Sequence, residues 1–339
     1  MKVLLLAALI AAAPLWAQPA DTVLLNGKIL TVDARFSTQQ ALAVRDGRIL
    51  ATGTTAEIRK LAGPASRVID LSGRTVIPGL IDSHMHAIRA ALSFSTEVNW
   101  IGAASLTEAL GRIREAARTK KPGAWLIVAG GWNVQQFRER RRPTQAELVE
   151  AAPHNPVYIQ LGYGWAMLTL AAYDALQIRG ESDLPAHGRF ELDAAGRPTG
   201  AVTGGQNAII ALFDRLPKPT FAEEVEGTRA FFRELNRLAL TGVVDPGGNN
   251  LAPEDYQALF QVWRRGEMTV RIAYALNGQT PGKEFEEYQS LTRLLPMGFG
   301  DDMLRFNGIG ERITFGMNNN DHPTDAQKEQ FYQIVRWAA

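Results

Sequence analysis

The sequence contains no cysteine. That absence removes disulfide cross-links, thiolate metal sites and a cysteine nucleophile together. Histidine is scarce too, with 5 in 339 residues. Any bound metal must therefore be held by a few imidazoles, by carboxylates or by a modified lysine. A dominant charge is missing: 36 Lys and Arg face 35 Asp and Glu, for a net charge of +1. Such a balance gives no electrostatic ground for nucleic-acid binding or for attraction to an anionic membrane. The glycine pairs Gly130-Gly131, Gly204-Gly205 and Gly247-Gly248 match neither the phosphate-binding loop nor the dinucleotide fingerprint. They mark tight turns or close backbone approach instead. There is no fixed-period repeat and no low-complexity tract. The basic run Arg138-Glu139-Arg140-Arg141-Arg142 reads as a solvated loop or helix end.

What is present is ordinary globular composition, 46% hydrophobic and 21% charged, enough for one large domain or two smaller ones. Met1-Lys2, the apolar run Val3 to Ala13 and the small residue Ala17 read together as a secretory signal over residues 1–20. The run is too short to span about 30 Å of hydrocarbon, so no stable membrane span is expected. The mature protein is expected to be exported, to the periplasm or beyond.

Residues 21–74 alternate short apolar runs with tight turns and predict a β-sandwich of hairpins. Asn26-Gly27 separates Val23–Leu25 from Lys28–Val32, and Asp46-Gly47 separates Ala41–Arg45 from Arg48–Ala51. Both dipeptides are strong hairpin signals. From Thr75 the texture changes to longer apolar runs alternating with helical patterns, which predicts an α/β domain over 75–339. Helices are expected at 105–119, 144–151, 221–240, 253–265 and 324–338. Ser105-x-x-Glu108 and Thr144-x-x-Glu147 serve as capping boxes. Buried strands are expected at 125–129, 156–161, 241–245, 269–276 and 303–307, with a hairpin over 190–203.

The chemistry is concentrated in Ile81-Asp82-Ser83-His84-Met85-His86. On a strand, His84 and His86 point to one face together with Asp82, and Met85 to the other. Two neutral imidazoles so placed can hold one divalent ion. The preceding apolar run, with Pro78-Gly79, suits a strand passing into a buried sheet.

The stretch Gly73–His86 resembles the first barrel strand of the amidohydrolase superfamily, and within it amidohydrolase family 3, the branch that includes N-substituted formamide deformylases. The opening hairpins, the segments Gly188–Glu191 and Asp193–Gly200, and Thr241–Gly248 extend the resemblance over residues 21 to 310. It implies a (β/α)8 TIM barrel with an N-terminal β-sandwich and an insertion at about 100–220. It also implies one or two divalent ions, usually zinc, and a small amide-type substrate attacked at carbon by metal-activated water. A carboxylate on the last strand would move the proton.

Departures from that pattern are informative. Arg305 stands where the family often has a lysine on a middle strand, and a guanidinium is a poor ligand. Glu311 follows, either as a substitute ligand or as a solvated loop carboxylate. Trp165 replaces a family histidine, so Trp165 and Arg305 become candidate substrate-binding residues. His154, His187 and His322 sit in turns beside or near prolines and are read as structural or solvated. The barrel is expected to be incomplete, with two histidines and the catalytic aspartate beyond Ala339. The leading function is metal-dependent hydrolysis of a carbon–nitrogen bond. The alternative is an exported fragment or pseudoenzyme that binds metal or ligand without turnover. A carbohydrate-active barrel using Asp82, Asp245 and Glu311 ranks last, because it leaves His84 and His86 unexplained.

Overall fold

The computed structural model describes residues 18–248, 251–317 and 322–339. The leader assigned to residues 1–20 lies outside the described residues up to Ala17. Two compact units divide at Leu80/Ile81.

The first unit holds β1 (Ala20–Leu25), β2 (Lys28–Leu30), β3 (Thr38–Gln39), β4 (Ala41–Arg45), β5 (Arg48–Gly53), α1 (Thr55–Arg59), β6 (Ala62–Asp70) and β7 (Thr75–Val76). One sheet runs β5-β4-β1-β6 and another β3-β2-β7. Ile29, Leu42 and Leu71 form an apolar cluster shared by the two sheets. Asp46-Gly47 forms the expected hairpin: Arg45 lies opposite Arg48, and both turn residues take positive φ (51° and 70°). Asn26-Gly27 does not. Asn26 has φ 57°, but β1 pairs with β4 and β6 while β2 pairs with β3 and β7. Both edges of β1 are occupied, so the turn carries the chain from one sheet to the other instead of folding it back.

The second unit begins within β8 (Leu80–Asp82), continues through α2 (Ala87–Ser93) and α3 (Leu106–Thr119), and is followed by β9 (Leu126–Val128), α4 (Gln145–Ala151), β10 (Val157–Leu161) and β11 (Trp165–Leu168). Next come α5 (Leu170–Ala175), β12 (Arg189–Leu192), β13 (Pro198–Thr203), α6 (Gly205–Phe213) and α7 (Phe221–Arg237). Strands β14 (Leu240–Asp245), β15 (Arg271–Leu276) and β16 (Leu304–Ile309) then alternate with α8 (Gln257–Arg264), α9 (Glu284–Thr292) and α10 (Asp325–Ala338). Thr144 and Glu147 make a reciprocal capping box; Ser105 caps α3, but Glu108 reaches the Ala104 amide instead of the Ser105 amide.

Strands β9 to β13 form a mixed sheet in the order β12-β13-β11-β10-β9. Its residues alternate between two cores, as the period of a strand requires. Leu126, Val128, Val157, Ile159 and Met167 face the core under α3 and α4. Tyr158, Ala166, Leu168 and Val202 face the one under α5 and α6. A second sheet has the order β16-β15-β14-β8, with β14, β15 and β16 parallel. Each of these three strands is followed by a helix, the arrangement that parallel connections demand. Strand β8 is not buried as its apolar sequence suggested. It lies at the sheet edge, with Leu80 49% and Ile81 69% exposed.

Helix α7 crosses α2 at Gly227. A Cβ there would stand 2.3 Å from the Ala91 carbonyl oxygen and 3.2 Å from that of Leu92. Alanine in place of glycine ordinarily stabilises a helix by about 1 kcal/mol. Here the added methyl must push α2 away, so Gly227→Ala should destabilise the protein by about 1–3 kcal/mol. A urea midpoint that is unchanged or raised would show that α2 is free to shift.

Candidate metal centre

Strand β8 ends at Asp82, before the two histidines. The Asp82 carboxylate accepts a 2.9 Å hydrogen bond from the His84 amide and turns the chain. The Met85 amide donates to the Val244 carbonyl at 3.1 Å, and His86 becomes the N-cap of α2 with φ −75° and ψ 64°. The histidines thus share a site because of a bend anchored to β14, and strand alternation has no part in it. Their rings meet edge to face at 5.6 Å.

Glu311 joins them from beyond β16, where its amide donates to the Pro246 carbonyl at 2.9 Å. One carboxylate oxygen lies 3.0 Å from His84 Nε2 and the other 3.3 Å from His86 Nε2. The candidate ligand atoms of all three residues lie within 4.8 Å of one another. Two ligands on a tetrahedral ion, at ordinary nitrogen and oxygen bond lengths, are separated by about 3.4 Å. The spacing and the borderline nitrogen–oxygen donor set therefore fit one divalent ion. His86 Nδ1 is buried without a hydrogen-bond partner, so Nε2 is the nitrogen that meets the carboxylate.

The bend is held by Asp245, at the end of β14. Its fully buried carboxylate accepts hydrogen bonds from the Ile88 amide at 2.8 Å and the Gly247 amide at 3.0 Å. Burial raises the Asp245 pKa, against the opposing effect of these bonds and of His86. A carboxylate 157 positions away in sequence thereby satisfies an amide at the start of α2, a group that helix geometry leaves unpaired. Sequence reasoning cast Asp245 only as a sugar-cleaving carboxylate. In the fold it and Asp82 are both engaged by backbone amides around the histidine bend.

The other candidate residues stay apart. Trp165 lies on β11, 5% exposed, with its indole near Glu191 and the Arg142 guanidinium over its ring at 4.6 Å. It belongs to the core under α3. Arg305 is exposed and pairs with Asp302 at 3.7 Å. It lies on the solvent side of β16, opposite the buried Leu304 and Phe306, and is not brought to the cluster. Among the described residues, His154, His187 and His322 join no metal-capable group of three.

A cavity of about 660 Å³ opens beside the cluster, with His86 and Met85 in its wall. Glu97 lines it and had no sequence signal. Burial pushes its carboxyl up to about 7, against hydrogen bonds from the Ser93 hydroxyl and the Ala129 amide and the charge of Arg89.

Asp245→Asn tests the anchor. An asparagine offers one acceptor oxygen where two amides now find one each, so a buried amide loses its partner. The expected cost is about 1–3 kcal/mol, read from thermal unfolding, with faster hydrogen exchange at Ala87 and Ile88. Unaltered stability together with unaltered exchange would remove Asp245 from this role.

Comparison with known proteins follows the same lines. Residues 67–339 match the profile of the Amidohydrolase family. An N-substituted formamide deformylase from Arthrobacter pascens is 32% identical over 280 residues, covering 81% of this chain and 50% of that protein. Protein LONG AFTER FAR-RED 3 of Arabidopsis thaliana is 34% identical over 184 residues, 53% of this chain and 31% of that one. The chain thus spans half or less of the length of these relatives. The crystal structure of an uncharacterized metal-dependent hydrolase from Pyrococcus furiosus superposes with a TM-score of 0.56 at 21% identity, covering 85% of this chain and 55% of that one. That likeness speaks to the fold alone. By the match over 67–339, the chain belongs to the amidohydrolase family.

Proposed function

We propose that this chain carries the metal-binding start of a hydrolase that cleaves carbon–nitrogen bonds in small, non-peptide amides of the formamide type. The carrying observation is the convergence of His84, His86 and Glu311 at the ends of β8 and β16, within 4.8 Å of one another. The formamide deformylase relative supports the bond type. The reaction is R–NH–CHO + H2O → R–NH3+ + HCOO−. When bound, a divalent ion supplies Lewis-acid polarisation of the carbonyl and a water acidic enough to ionise near neutral pH.

The residues of this chain divide the remaining work. His84 and His86 offer neutral nitrogens, and Glu311 offers one oxygen toward each imidazole. Zinc suits this set, because it accepts imidazole and carboxylate together and has no geometric preference of its own. Asp82 and Asp245 fix the backbone that presents the histidines. We read β8, β14, β15 and β16 as an arc of a (β/α)8 barrel, with the cluster at the strands' C-terminal ends, where such barrels do chemistry. We further propose export by a leader ending at Ala17. Cleavage there leaves β1 whole, whereas cleavage after Ala20 would remove the strand residue that pairs with Ala62.

Zinc titration by calorimetry tests the metal assignment. Saturable binding should weaken at least about 10-fold in His84→Ala and in Glu311→Ala, because each loses a donor. Equal zinc affinity in both variants would sink the cluster as the site. On the full gene product, release of amine from an N-substituted formamide should stop with chelator and return with zinc. A zinc-loaded protein that leaves formamides intact would refute the bond assignment.

A further inference from the structure

The cavity beside the cluster is built unlike a general solvent cleft. Leu92, Phe94, Ile127, Phe213 and Phe231 give it apolar walls, while Glu97 stands among them as a half-buried, desolvated carboxyl. Ser93 and the Ala129 amide both donate to that carboxyl, so its orientation is fixed. A carboxyl held this way is costly to ionise unless a cation arrives to share the space.

We propose that this cavity seats the substituent carried on the substrate nitrogen, and that Glu97 recognises an ammonium group on that substituent, with the apolar walls taking its alkyl or aryl part. The assignment rests on the carbon–nitrogen hydrolase reading above and names which part of the substrate lies where. Its chemistry balances: Glu97–COOH and R–NH3+ become a carboxylate–ammonium pair, with one proton released to solvent. Before binding, burial holds Glu97 mainly protonated below about pH 7. An ammonium beside it favours the charged form and lowers its pKa again.

Other charges lie around the same space. Arg89 of α2 lowers the Glu97 pKa. Lys120, at the end of α3, donates to the Thr96 carbonyl at 3.0 Å. Lys218 pairs with Asp214 at 3.0 Å. Glu224 of α7 is raised by burial and by Asp255, and His86 completes the wall. These cations are engaged: Lys218 with a carboxylate, Lys120 with backbone carbonyls, and Arg89 over the Phe213 ring at 5.8 Å. Glu97 is the carboxyl whose protonation changes near neutral pH and whose hydrogen-bond donors leave it ready to accept a further N–H.

The sign of the pH effect follows directly. An ammonium binds the ionised form, so affinity should rise with pH through about 7 and level off above it. With a midpoint near 7, the ionised fraction at pH 6 makes binding about 10-fold weaker than at pH 8. Calorimetry of hexylamine with the full chain, in buffers of different ionisation enthalpy, reads both quantities. Nearly one proton should be released per hexylamine bound at pH 6 and almost none at pH 8.5. Hexan-1-ol, which has the same chain and no charge, should bind at least 10-fold more weakly at pH 8.5. Glu97→Gln should abolish proton release and the pH dependence while leaving zinc affinity unchanged. Binding of hexan-1-ol equal to hexylamine, absence of proton release at pH 6, or no hexylamine binding at pH 8.5 would each overturn the proposal. Loss of zinc binding would instead strike the hydrolase reading and leave the amine result to stand separately.

Discussion

The buried carboxylate of Asp245 is the interaction on which the site depends. It closes β14, accepts the Ile88 amide at the start of α2 and the Gly247 amide after the strand, and is fully removed from solvent. A charge or a polar group in that position is tolerated only because its oxygens are satisfied. The cost of burial is visible in its raised pKa. In return the bend through His84 and His86 has a fixed anchor on the sheet, reinforced by the Met85 amide on the Val244 carbonyl.

Packing continues that constraint outward. Helix α2 begins at the histidine bend, and α7 crosses it so closely that only glycine fits at position 227. Val225, Phe231 and Phe232 of α7 share a core with Ala87, Ile88 and Ala91 of α2 and with Val243, Ile272 and Phe306 of the sheet. The metal-capable cluster is therefore set by a helix held at its start by a carboxylate and along its length by close backbone contact. Pre-organisation of this kind suits an ion whose ligands must converge to a few tenths of an ångström. The same helix supplies Arg89, Leu92 and Ser93 to the cavity. The cluster and its neighbouring space are two consequences of one placement.

Much of the site was legible in order of sequence. His-x-His after an apolar run marked the first two members of the metal-capable group, and Glu311 was named as a third with its role left open. The reason given for the pair was different from the one the fold supplies, since β8 stops at Asp82 and a side-chain-to-backbone bond makes the turn. Local hydrogen bonds of an aspartate compete with strand continuation, and nothing in the alternation of side chains signals which wins. Trp165 and Arg305 were singled out by where they differ from a pattern. The fold gives one to a core and the other to solvent, because a strand position alone does not say which face the sheet will cover.

The sequence by itself determined the materials: the donor set narrowed by the absence of cysteine, the helices started by Thr144, Thr220 and Thr324 with their capping partners, and the β-strands of the α/β unit. These are local matters of period, propensity and short-range hydrogen bonding. Tertiary structure decided what lies far apart along the chain and close in space. It brought Glu311 to His84, Asp245 to Ile88 and Gly227 to Ala91, and it set Glu97, half-buried, in the wall of a cavity. Such meetings depend on sheet order and helix crossing, which fix distance and desolvation together, and no window of neighbouring residues contains either quantity.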